Sequence, residues 1–270
     1  METVERMKFK HNSFGKRLRS MVKVDSRRMF TTPLFYIMVG VCLVMPILIL
    51  VMTTMMDGTV TVDPNTGVET TIEAFTNTWQ AIGSVSGGTA MDMSLTAMCN
   101  INLVYFMAAV LVCLFVAGDF RSGYAKNLFA VRSKKSEYVI SKTLVGFVGG
   151  MVMLLAFFVG AMLGGAISGL PFDTGSAGTV GIILCMVAKI FLMAVFVAIY
   201  VLMSVIGRQK VWLSLLCSLF GSMLLFMMIP MLTPLDSSLM NVLLCLAGGA
   251  AFSIGLGVVS DKVLGRVSLV

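Results

Sequence analysis

The sequence predicts an all-α membrane protein with six transmembrane helices and both termini in the cytoplasm. Its composition is the first sign: 58% of residues are hydrophobic and only 12% charged, with a mean hydropathy of +0.96. A soluble domain carries about a quarter charged residues. The second sign is segmentation. The apolar residues gather into blocks of roughly 17–25, the length that crosses a hydrocarbon core ~30 Å thick. The alternation over about ten residues that marks a barrel strand is missing. The third sign is that basic residues fall between these blocks on one side only.

Residues 1–32 are expected to form a basic amphipathic interfacial helix. In SFGKRLRSMVKVDSRRMFT (13–31), Phe14, Leu18, Met21, Val22 and Met29 recur at helical spacing. Lys16, Arg17, Arg19, Lys23, Arg27 and Arg28 fill much of the remainder. Such a helix suits an anionic inner leaflet, although the same charges also serve as a plain topology signal. His11, the single histidine, lies in this tail and reads as solvated. The first apolar run starts near Pro33, too deep and too long for a cleavable signal. Thr32 suits a cap of the next helix and Pro33 its first turn.

The six-span domain covers 33–270, with spans at about 33–56, 94–117, 143–169, 179–206, 211–229 and 240–259. Residues 57–93 form a polar, acidic outer loop. TVTVDPNTGVETT (59–71) alternates around a turn and predicts a small outer β-hairpin. Ile72, Phe75, Trp79 and Ile82 follow at helical spacing, predicting a short interfacial helix anchored by Trp79. In the third span Gly146 and Gly150, and again Gly160 and Gly164, make small-xxx-small pairs that allow close helix approach, within the bundle or across a dimer seam.

Charge sets the orientation. The N-terminal segment, 118–142, 207–210 and the C-terminal tail hold nineteen of the twenty basic residues. The opposite loops hold none, and carry Asp57, Asp63, Glu69, Glu73, Asp92, Asp173 and Asp236. The positive-inside rule then puts both termini in the cytoplasm of a plasma membrane, with a bacterial source expected.

Several function classes lack their residues. No GxxxxGK[ST] phosphate loop, HExxH or GxSxG occurs. Cys42, Cys99, Cys113, Cys185, Cys217 and Cys245 lie in or beside apolar runs without a CxxC pair, so they read as small buried hydrophobes. The chain is therefore expected to be no enzyme, with no metal and no cofactor of its own. It reads as the membrane half of a larger machine.

Lys189 is the one intramembrane charge. As one helix, the run 179–206 would measure roughly 42 Å, longer than the hydrocarbon core. That favours a break, with 179–188 as an outer segment and Lys189 snorkelling to the outer interface. Placed centrally instead, it would face a polar pathway with Asn100 and Asn102.

The segment GDFRSGYAKNLFAVRSKKSEYVISK (118–142) is richer than a topology signal requires. Phe120, Tyr124, Leu128 and Val131 fall at i, i+4, i+8 and i+11, one apolar face of a short helix. Arg121, Ser122, Lys126 and Asn127 lie elsewhere on it, Gly123 allows close approach, and Ser133 suits the cap of a second helix over 134–142. The pattern formed by Asp119, Gly123, Lys126, Asn127, Leu128, Ser133, Tyr138 and Lys142 resembles the first cytoplasmic loop of type-2 ATP-binding-cassette (ABC) exporter permeases. The six-span layout, basic lead-in helix and long first outer loop are similar too. The subgroup it most resembles is the bacitracin-resistance and lantibiotic-immunity permeases. Asp119 departs from the usual Glu, and the loop 230–239 is shorter than usual.

The resemblance implies a permease subunit that moves a peptide or an amphipathic compound out of the cell or membrane. Two copies of a separate cytoplasmic ATPase would bind ATP and Mg. The loop 118–142 would be the coupling helix, with Asp119, Phe120, Arg121, Gly123, Tyr124, Lys126, Asn127, Leu128 and Ser133 at the contact. Its apolar face would fill a groove on the ATPase. A second permease chain, the same or homologous, and membrane lipid complete the expected partners, and no nucleic acid is among them. The competing readings are a self-sufficient channel or carrier using Lys189, Asn100 and Asn102, and a non-transporting scaffold or sensor. The loop could also serve only to bind anionic lipid.

Overall fold

A computed structural model describes residues 13–62, 69–71, 74–84, 99–131 and 135–266. Among these, six helices are long and apolar enough to cross a membrane, so the chain is an all-α, multi-pass membrane protein. The lead-in helix α1 spans Phe14–Thr31 and α2 spans Pro33–Met55. Thr32 is extended between them, and Pro33 opens α2, where its missing N–H costs nothing. The Thr32 hydroxyl does not cap α2, as expected from sequence, but donates back to the carbonyl of Arg28 at 2.6 Å. A short ladder follows, with β1 (Val60–Val62) antiparallel to β2 (Glu69–Thr71) and Val60 opposite Thr71. The turn expected between them lies outside the described residues.

The remaining helices are α3 (Leu103–Arg121), α4 (Tyr124–Val131), α5 (Ser136–Ser168), α6 (Gly178–Gly207), α7 (Val211–Leu232) and α8 (Leu239–Arg266). The most extensive helix pairs are α2 with α5 and α6 with α8. Between them, α3 touches α5, α6 and α7. The centre of the bundle is thus α3 and α6, while α2, α7 and α8 turn apolar side chains such as Leu48, Phe220 and Ile254 outward. Small residues let the first pair close. A side-chain carbon at Gly160 would lie on the carbonyl of Leu43, and one at Gly164 would lie 2.9 Å from the Cα of Ile47. Gly146 and Gly150 face Val197 and Met193 of α6. Both glycine pairs therefore serve packing inside the bundle.

Three expectations need correction. Helix α6 runs unbroken through Lys189, so no separate outer segment exists. The stripe Phe120, Tyr124, Leu128, Val131 does not lie on one helix. The chain turns at Gly123, with φ +73°, so Phe120 closes α3 and Tyr124 opens α4. A side-chain carbon at Gly123 would meet open space, so its value here is the left-handed turn and not close approach. Lastly, only Trp79 of this set lies on a helical turn, the single 3₁₀ turn Thr78–Ala81; Phe75 precedes it, Ile82 follows it, and all three are buried. Trp79 stacks near Phe158 and Phe172, inside the protein instead of at a headgroup. The Asn77 side chain caps this turn, and its amide reaches the carbonyl of Asp173. Ile72 lies outside the described residues.

Candidate functional site

Two buried polar centres lie at opposite ends of the bundle. The first sits at the basic end, under the α3–α4 corner. It begins on α1, where Met21, Asp25 and Met29 follow at spacings of four and face inward together. Asp119 occupies the buried face of the last turn of α3. From α5 come Glu137, Tyr138, Ser141 and Lys142, all buried. Their side chains meet.

Lys142 Nζ lies 2.9 Å from Asp25 Oδ1 and 2.7 Å from Asp119 Oδ2. It also stands 3.8 Å from the ring centre of Phe115. Arg28 Nη2 approaches Asp119 Oδ1 at 2.8 Å, and its guanidinium lies over the Tyr124 ring at 4.1 Å. Ser141 donates to Asp25 Oδ2 at 2.6 Å, and Tyr138 donates to Asp119 Oδ2 at 3.1 Å. Two carboxylates are thus matched by two cations; both Asp25 oxygens and Asp119 Oδ2 accept hydrogen bonds, and Asp119 Oδ1 has only its ion contact with Arg28. Only that degree of pairing makes fully buried charge tolerable. Burial alone would lower the Arg28 pKa, but Asp119 and Asp25 outweigh it and raise it, so the guanidinium stays charged. Burial raises the Tyr124 pKa, and Asp25 and Asp119 add to the rise. At the rim, Arg17 Nε pairs with Glu137 Oε1 at 2.8 Å.

The cluster ties α1, α3 and α5 to the corner that carries α4. Helix α4 packs inward, with Ala125 buried and Phe129 against Tyr138 at 5.2 Å. Lys135, just before α5, donates to the Leu264 carbonyl of α8 at 2.6 Å. The sequence expectation of an outward apolar face on this segment is therefore wrong. Phe120 and Tyr124 face the protein, Leu128 is half-buried, and Asp119 is sealed inside. The outward surface is polar: Arg121, Ser122, Lys126 and Asn127. Ser133 lies outside the described residues.

The second centre is Lys189, which is fully buried and does not snorkel. Its Nζ donates to Asn102 Oδ1 at 3.0 Å and Thr233 Oγ1 at 2.9 Å. Asn102 sits at the start of α3 and Thr233 just past α7. Asn100 Oδ1 accepts from the Asn102 backbone at 2.9 Å, so the three residues grouped from sequence do come together. Tyr105 donates to the Lys189 carbonyl at 2.9 Å. No carboxylate among the described residues lies within ion-pair distance of Lys189. Irregular backbone surrounds it: Ile101 donates to the Ala81 carbonyl and Leu235 to the Ser84 carbonyl. Buried non-helical backbone is stable only when its polar groups find partners, as these do.

The sequence motif holds Asp119, Glu137, Tyr138, Ser141 and Lys142, but it does not point to Asp25 or to the part that Arg28 plays beside them. A signal existed, since Asp25 is the single acid of α1 and falls on its apolar stripe. Comparison of the chain with models of protein families, with curated proteins and with solved structures finds no match.

Proposed function

We propose that this chain is the membrane permease subunit of an ABC exporter in a plasma membrane. It would move a peptide or amphipathic compound, driven by a separate ATPase. The supporting observation is the mechanical continuity of the α3–α4 corner. A force on α4 would pass through the Asp119–Lys142–Asp25 cluster into α5, one helix of 33 residues, about 50 Å long. A merely lipid-binding loop needs no such bracing. The contact with the ATPase is polar in this reading: Arg121, Lys126 and Asn127 face outward at the basic end, which positive-inside logic makes cytoplasmic. In this reading ATP and Mg belong to the partner.

Purification of the full chain from its native membrane in mild detergent tests this. A stoichiometric ATPase subunit is expected, and R121E/K126E should release it while leaving chain yield and melting unchanged. Active preparations repeatedly free of any ATPase would overturn the reading.

A carrier reading draws on one observation, the joining of Lys189, Asn102 and Asn100 in the bundle. Substrate flux in proteoliposomes holding this chain alone, without nucleotide, would favour it.

A further inference from the structure

A crevice of about 410 Å³ opens at the basic end between the α1–α2 corner and α3, within the range of roughly 300–1,000 Å³ usual for small-ligand sites. Its two ends differ in chemistry. Arg28, Thr31, Thr32 and Ser122 line the polar end, while Leu34, Phe35, Leu111, Leu114 and Phe115 line the other.

Arg28 is the strongest donor there. Its side chain is 36% exposed, and only Nη2 is committed to Asp119. Nη1 is turned into the protein, shielded from water, 3.9 Å from Asp25 Oδ1 and without a hydrogen-bond partner, so the exposed part of the side chain is the rest of the group. A guanidinium has five N–H donors, and a single contact to Asp119 leaves its exposed part with capacity for a further acceptor. The acids near it, Asp25 and Asp119, are already matched by Lys142 and by Arg28 itself. Exposed Arg27 and Arg121 leave the surrounding field positive. The hydroxyls of Thr31 and Thr32 are spent on backbone carbonyls of α1, so they offer acceptor surface more than donors.

We propose that this crevice binds one anionic phospholipid from the leaflet at the basic end. Its phosphate lies against Arg28, and an acyl chain runs along Leu34, Phe35, Leu111 and Leu114. Depth argues for a lipid over a soluble anion. The crevice sits where a basic interfacial helix turns at Thr32 into a spanning one, which is headgroup level. Its wall continues downward as apolar side chains, which no small hydrophilic anion would fill. The proposal does not depend on the permease reading, and no ATPase enters its test.

Native mass spectrometry of the full chain, purified in neutral detergent, decides it. Phosphatidylglycerol should be retained at one per chain and phosphatidylcholine should be lost. Leu114→Trp fills the apolar end and should lower phosphatidylglycerol occupancy by about tenfold. R28Q removes a charge-assisted hydrogen bond and should do the same. K16Q, at an exposed site near the other end of α1, should change nothing. Thermal melting without added lipid checks folding, and if R28Q fails to fold, the Leu114→Trp result alone decides. Equal retention of the two lipids, or wild-type retention by Leu114→Trp, would overturn the proposal. Displacement by glycerol 3-phosphate would assign the site to a soluble phosphate and would overturn the lipid as occupant.

Discussion

The two buried centres solve the same problem in opposite ways. At the basic end, two cations and two carboxylates cancel within hydrogen-bond reach. Around Lys189, a single cation is held by an amide oxygen and a hydroxyl, with no carboxylate among the described residues to answer it. The first arrangement is rigid and self-contained: remove one partner and an opposite charge is stranded. The second is soft, because removing the charge leaves only neutral acceptors. One centre is built to hold three helices together, the other to tolerate a change in its own occupancy or charge.

Lys142→Met is the sharpest break. It leaves Asp25 and Asp119 buried with only Arg28 to share, and should lower stability by about 3–5 kcal/mol. Chemical unfolding in detergent micelles measures this. Adding Asp25→Asn should restore part of the loss, since one stranded charge is removed. A loss below about 1 kcal/mol would place the cluster in the range of hydrated surface pairs and would end the contrast. Lys189→Met keeps the length of the side chain and removes its charge. It should cost about 1–2 kcal/mol, the value of hydrogen bonds lost to neutral acceptors. A loss equal to that of Lys142→Met would mean that Lys189 has a counter-charge under working conditions.

How far the sequence reveals these centres follows from the same contrast. Apolar blocks and charge asymmetry suffice for six spanning helices, because span length is a local property. Lys189 is legible as well, as a lone charge in a long apolar run, and Asn100 and Asn102 are visible beside the next span. What the pattern cannot show is its depth. That depends on irregular backbone from 81–84, 99–102 and 233–235 folding around it, which is a tertiary matter. The basic-end cluster is legible only in pieces. Asp25, Asp119 and Lys142 each stand in an apolar register, but Asp25 meets Lys142 across 117 residues of chain. The outward-facing stripe failed for a simpler reason: helical periodicity was carried across Gly123, where the chain turns.

That corner supplies a smaller test. Gly123→Ala places a side chain at φ +73°, where an L-residue costs about 1–2 kcal/mol. Gly118→Ala lies one turn earlier, in regular helix with open space around it, and should be neutral or stabilising by about 0.5–1 kcal/mol. Opposite signs in thermal melting would locate the strain in the turn. Equal effects would mean the corner relaxes, and that α4 is not held firmly by the cluster beneath it.

The weakest expected effect comes from the rim. Arg17 is 22% exposed where it meets Glu137, unlike Lys142, which water does not reach. Glu137 is buried but keeps other contacts, so Arg17→Gln should cost less than Lys142→Met, and less still as salt is raised. Lys142→Met should lose the same stability at low and high salt, because ions cannot enter its surroundings. Parallel unfolding curves in both salts would show the difference directly. A salt-sensitive Lys142→Met would mean that water and ions reach Asp25 and Asp119, and the cluster would then act as a polar surface instead of a brace.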